Sequence, residues 1–325
     1  MLYNFQILTD ALSDLPDIWL AEHPEITIVD TPITVSKGDD SVVMHWLKPG
    51  DFPQVAAYVD KGYSAHTSCP NIYMGDDDES YCVESITRRY LDEGKDVLYM
   101  AMSGTLSSTS DHVSSLYKEL SREYPDRKVI CIDTHCMSTG LGLLVMDVCD
   151  YIVKEKVTDI KNLVSFIEEN RGGIAHIFSW SEFSFIRKSG RVGLLPAFLG
   201  GALKFQPFCS NEYDDRKEGE RLLIPIKSTV RGREKFAKLV AAFAKETITD
   251  PTGTIIVAHG DVQDFAYTIA DRIKKALPEA NILVGPDWHV SAGIQVHGGP
   301  TSVHINFHRK QPNCYTDTCE IVKRL

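Results

Sequence analysis

Apolar residues in the first half of the chain fall in short unbroken runs. Residues 97–102 and 129–132 are wholly apolar, and segments with helical periodicity follow them at 107–124 and 138–154. Unbroken runs, as opposed to alternation, belong to strands buried on both faces, as in a parallel sheet covered by helices. A strand around 6–8 leads into Thr9-Asp10-Ala11-Leu12-Ser13-Asp14-Leu15-Pro16, which opens a helix. Residues 26–34 read as one further strand, and 76–93 as a helix. Alternating strand and helix predict right-handed crossovers, with ligands at the carboxyl ends of the strands.

The second half is patterned differently. Helices are expected at 161–169, 182–188, 230–246 and 263–277, and strands at 174–179, 202–209, 222–227 and 254–259. An acidic hairpin spans 211–220, and segments 281–285, 289–297 and 302–307 complete the pattern. This mixture predicts a mixed sheet. The expected fold class is therefore α/β, in two domains. An N-terminal parallel α/β domain covers 1–157, and a C-terminal mixed α/β domain covers 158–325, with the boundary near Val157. A chain of 325 residues suits that division.

A net charge of −11 argues against nucleic acid as a general partner, because polyanion binding needs a basic face. No apolar stretch approaches the roughly 20 residues that span a bilayer, and residues 1–10 lack the pattern of a secretion signal, so a cytoplasmic location is expected. Eight cysteines without a Cys-x-x-Cys pair predict free thiols and neither zinc nor any other metal. No cofactor is expected: there is no Gly-x-Gly-x-x-Gly after the first strand and no phosphate-binding Gly-Lys-Ser/Thr.

Candidate chemistry gathers where strands end. Ser103-Gly104-Thr105 follows the run 97–102. It reads either as an anion site, built from helix N–H groups and hydroxyls, or as a simple helix cap. Asp10 with Ser13, Asp133-Thr134 with Ser138, and His66-Thr67-Ser68-Cys69-Pro70 lie at comparable junctions. Each alone reads as a cap or turn; several at one sheet edge read as a site. His297-Gly298-Gly299-Pro300 is either a ligand-binding loop or a turn between strands with an incidental histidine. Basic residues group at Arg187, Lys188, Arg191 and Lys204, and again at Lys227, Arg231 and Arg233. A Ser/His/Asp hydrolase would find its residue types in Ser103, His297 and Asp10 or Asp133, but the Gly-x-Ser-x-Gly elbow is missing.

In order along the chain, Thr9-Asp10-Ala11-Leu12-Ser13-Asp14-Leu15, Thr67-Ser68-x-Pro70, Met102-Ser103-Gly104-Thr105, Asp133-Thr134 with Ser138-x-Gly140-x-Gly142, Phe185-Ile186-Arg187-Lys188-Ser189-Gly190-Arg191, Lys204-Phe205-Gln206-Pro207 and His297-x-Gly299-Pro300 resemble the motifs of the DegV family. These are bacterial fatty-acid-binding proteins that include the FakB subunits of fatty acid kinase. The resemblance implies a non-enzymatic protein that holds a long-chain fatty acid in an apolar tunnel and presents its carboxylate to a separate kinase subunit. Thr67, Ser68, Ser103, Gly104, His297 and Gly299 would surround the carboxylate. Phe185, Ile186, Leu194, Phe198 and Phe205 would line the tunnel. Arg191 and Arg231 would face the kinase or the acyl phosphate, and transient contact with a membrane surface would fit a lipid carrier. The alternative function is a hydrolase of acyl or phosphate esters using Ser103 and His297.

The chain departs from the family pattern in four places. Gly298 follows the motif histidine, where a hydroxyl is usual, and Thr301-Ser302 replace a small run. Val192-Gly193-Leu194-Leu195 lacks a usual polar residue. Acidic Asp76-Asp77-Asp78-Glu79 follows the Thr67 loop, and the tail beyond Phe307 is extra. These departures bear on chain-length preference and kinase pairing more than on ligand class.

Overall fold

A computed structural model describes residues 3–48, 50–72, 82–182, 184–189, 205–213, 215, 221–310 and 314–325. β1 (Phe5–Asp10) leads through a short turn to α1 (Asp17–Leu20) and β2 (Ile26–Val29). The strand expected over 26–34 is broken in two, and β3 (Ile33–Lys37) belongs to a different sheet. The break has two causes. Pro32 cannot donate to a ladder. Asp30, buried, turns the chain by accepting the Trp46 N–H at 2.9 Å and meeting His45 Nδ1 at 2.6 Å. β3 pairs antiparallel with β4 (Asp40–Met44) and, after α2 (Phe52–Asp60), with β5 (Ser64–Thr67).

α3 (Val83–Asp92) follows; the first part of the helix expected there, 76–81, lies outside the described residues. β6 (Asp96–Ala101), α4 (Thr109–Glu123), β7 (Val129–Asp133) and α5 (Thr139–Glu155) complete a parallel four-stranded sheet in the order β2-β1-β6-β7. Its central strands are buried at every position. Successive residues serve opposite cores: Leu98 and Met100 join α5, while Val97, Tyr99 and Ala101 join Val113, Leu116 and Leu120 of α4. The unbroken apolar runs are the sequence image of that double burial.

α6 (Ile160–Asn170) places Ile160, Leu163 and Ile167 in the same core as Ile7 and Leu98. β8 (Ile174–Ser179), α7 (Ser184–Ser189), β9 (Phe205–Tyr213) and β10 (Arg221–Arg231) follow. The helix expected at 230–246 begins later, as α8 (Arg233–Thr247), because β10 runs on to Arg231 and Gly232 turns the chain at φ +87°. β11 (Thr254–His259), α9 (Gln263–Ala276), β12 (Asn281–His289), α10 (Ala292–Gly298), β13 (Val303–His308) and α11 (Tyr315–Arg324) end the chain. The mixed sheet runs β10-β9-β8-β13-β11-β12, with only the β11–β12 pair parallel among the described strands. α8 and α9 cover one face. On the other, Ile256, Ala258 and Trp288 share a core with Ile7, Leu98 and Leu144, so apolar packing is continuous between the two large sheets. No helix among the described residues is long and apolar enough to cross a membrane.

Candidate functional site

Between the carboxyl ends of the parallel strands and the inner face of the mixed sheet lies a cavity of about 150 Å³. Thr67, Ser68 and Cys69 border it at the end of β5 and just beyond, and Met102, Leu106, Ser107 and Ser108 after β6. Phe178, Trp180, Ile186, Ile294, His297, Gly298 and His304 form the facing wall. His297 Nε2 and Thr67 Oγ1 meet at 2.7 Å across 230 positions of sequence.

His297 comes from the last turn of a helix, where the sequence offered a ligand-binding loop or a turn between strands. Ser291 caps α10, its Oγ accepting the Ile294 N–H, and Asp14 accepts the Ser291 N–H at 2.9 Å. Gly299 ends the helix at φ +78°, and a side chain there would press on the Phe185 ring, so the glycine both stops the helix and admits Phe185. A glycine and a proline just past an apolar run are a helix-stop signal, and would have identified α10 from sequence. Ser68 lines the cavity with its N–H committed to Pro32 O and its Oγ 2.9 Å from Thr34 Oγ1.

The Ser103 turn is not the helix cap that one of the two sequence readings made it. α4 starts at Thr109 with Ser108 at its N-cap position, so Ser103 does not cap it. Ser103 is fully buried; its N–H donates to Cys136 O, and its Oγ lies 3.0 Å from Thr105 Oγ1. The exposed Gly104 donates its N–H to Asp133 Oδ2 at 3.1 Å, so a carboxylate of the chain itself occupies that donor. The two tunnel candidates on α7 diverge. Ile186 lines the cavity, whereas Phe185 packs on Phe52 at 5.7 Å between ring centres and borders a second space of about 440 Å³, which His297 also touches. Phe205 and Arg231 are cross-strand partners on β9 and β10, the exposed guanidinium standing 5.5 Å from the ring centre. Leu194, Phe198 and Arg191 lie outside the described residues.

Other strand-end groups tie the two sheets together beside the cavity, among them His304, which the sequence reading did not single out. Ser138, at φ +51°, donates its Oγ hydrogen to Asp14 Oδ2 at 2.5 Å and meets His304 Nδ1 at 2.8 Å. Burial raises Asp14 to about 6 and lowers His304 to about 3, because each charged form would lose its water. Asp10, accepting Tyr99 OH and Met102 N–H, is likewise raised by burial to about 6. Isolated polar residues in apolar segments, such as His304 between Val303 and Ile305, were the available signal.

These features define an α/β protein with a largely apolar cavity between two sheets and a hydroxyl–imidazole pair in its wall. A family model described as an uncharacterised DegV-family protein matches residues 4–310, and the chain belongs to the DegV family. A DegV domain-containing protein of Clostridium perfringens is 28% identical over 219 residues, covering 67% of this chain and 71% of that one. The fold matches a DegV lipid-binding protein of Thermotoga maritima with a TM-score of 0.72 at 22% identity, covering 95% of this chain and 99% of the other. It also matches the fatty acid kinase B3 protein of Streptococcus pneumoniae, solved with linoleic acid, with a TM-score of 0.70 at 17% identity and coverage of 94% and 99%.

Proposed function

We propose that the chain binds a long-chain fatty acid in the cavity between its sheets and presents the carboxylate to a separate kinase subunit for acyl-phosphate formation in the cytoplasm. The observation that carries this reading is the Thr67–His297 pair in the wall of an otherwise largely apolar space. A carboxylate is held by such hydrogen-bonding groups, and Ser68 adds a hydroxyl beside them. Burying an acyl chain yields about 0.8 kcal/mol per CH₂, so a sixteen-carbon chain gains on the order of 10 kcal/mol before entropic costs. In this reading Arg231 and Arg191 face the partner. The fatty-acid-binding description of the family's solved members supports the ligand class.

The test is to denature purified protein and examine the organic extract by mass spectrometry. Stoichiometric free fatty acid is expected. An empty extract, together with failure to bind added palmitate, would overturn the reading. Ester turnover that disappears in Ser103→Ala would establish the hydrolase alternative instead.

A further inference from the structure

Two side chains of the cavity wall each carry a polar atom with no hydrogen-bond partner among the described residues: His304 at Nε2 and Trp180 at Nε1. Both side chains are more than nine-tenths buried, at 2% and 3% exposure. Unpaired buried groups of this kind are rare and costly, and they mark a missing partner. The Trp180 indole can only donate, and its nitrogen lies against Gly298, where a Cβ would come within 2.9 Å. The absence of a side chain after His297 therefore leaves room for that N–H beside the head-group residues.

The polarity of His304 follows from its neighbours. Ser138 gives its one hydrogen to Asp14, so the hydrogen between Ser138 and His304 belongs to Nδ1. Nε2 then carries a lone pair and accepts. A carboxylate, which also only accepts, is repelled there, and an alkyl chain leaves the lone pair unpaired. A hydroxyl satisfies it.

We infer that the preferred ligand is an oxygenated fatty acid, whose chain hydroxyl donates to His304 Nε2 while a ligand oxygen accepts from Trp180 Nε1–H. This rests on the fatty-acid reading and names the class of acyl chain within it. Ser138 and Asp14 act as positioning residues that hold the imidazole in its accepting tautomer.

The experiment measures binding of stearic acid and of a panel of monohydroxylated stearic acids, with the hydroxyl near, midway and far from the carboxylate, to the intact chain at neutral pH. At least one hydroxystearate should bind about tenfold more tightly than stearate, the difference a satisfied buried acceptor makes. In His304→Phe the ratio of hydroxystearate to stearate affinity should fall to about one, and His304→Gln, which keeps an acceptor, should restore part of it. If stearate binds and every hydroxystearate binds equally or more weakly, this inference is overturned and the fatty-acid reading stands. If none of them binds, both fall.

Discussion

Thr67 and His297 test the site at the scale of single residues. Each offers one hydrogen bond to a charged head group, worth about 1.5–3 kcal/mol. Thr67→Val keeps the shape of the side chain and removes its hydroxyl. It should weaken fatty-acid binding about tenfold or more, as should His297→Ala, with a smaller loss for the methyl ester. Titration calorimetry with both ligands reads this, and equal losses for acid and ester would assign the pair to the fold and not to the head group. Asp14 and His304 make a second prediction. Burial raises Asp14 from 3.8 to about 6, so between those values the folded chain binds more protons than the unfolded one, and its contribution to stability is lost as pH rises through about 6. His304 is lowered from 6.5 to about 3, so its contribution has the opposite sign: stability is lost as pH falls below the ordinary histidine value. In the shared window the two oppose each other. Asp14→Asn removes one side of the balance, and urea titrations from pH 4 to 7 should show the variant losing stability on acidification more steeply than the parent chain. Parallel profiles would mean that Asp14 is ionised throughout, as if hydrated.

At the scale of elements, the segment Ser138-x-Gly140-x-Gly142, one of the family-like motifs in the sequence, is a packing device in the structure. A Cβ at Gly142 would stand 2.6 Å from the Ser13 carbonyl oxygen, and one at Gly140 would enter the His176 ring. α5 therefore approaches both the first strand's turn and the mixed sheet more closely than any side chain permits. Gly142→Ala should cost about 1–3 kcal/mol, because the obstacle is backbone and cannot rotate away; a melting temperature equal to that of the parent chain would show that the turn yields freely. Strand β6 announced itself because both of its faces are buried and its apolar run is unbroken, and the run 129–132 marked β7 in the same way. α10 was hidden from the periodicity because it is buried around most of its circumference, leaving no polar stripe, and only its stop signal marked it. The break after Val29 was hidden because a buried Asp30 and its distant partners cause it, and those partners are adjacent only in the fold. Of the expected site, Thr67, Ser68, Ile186 and His297 meet at one cavity. His304 and Trp180 were invisible because their significance lies in atoms left unpaired, which no spacing encodes.

At the scale of the whole molecule, we propose that the division near Val157 is architectural and not energetic. Residues on both sides of it enter one apolar cluster: Ile7, Leu98 and Leu144 before it, Ile160, Leu163, Ile256 and Trp288 after it. Polar ties cross the same boundary within the core. Asp14 accepts from Ser291, Ser138 meets His304, and Thr139 donates to Asn306 at 2.7 Å. Separating the halves would expose that apolar surface and leave those buried groups unpaired, each loss amounting to about 1–3 kcal/mol for a polar group alone. Domain folding stays independent only where the interface is small and polar. The intact chain should therefore unfold in a single transition, with coincident midpoints from far-ultraviolet dichroism, which reports both halves, and from tryptophan fluorescence. The four tryptophans make the second probe informative, since Trp19 and Trp46 precede the boundary while Trp180 and Trp288 follow it. Single-tryptophan variants retaining Trp46 or Trp288 should melt together. Two separated midpoints would show that the shared core contributes little, and that 1–157 and 158–325 stand as independent folding units. Coincidence would tie the site to the same cooperative unit. The Thr67–His297 pair spans the boundary, so the cavity then persists only while both sheets are in place, and ligand bound there stabilises the entire chain, not one lobe.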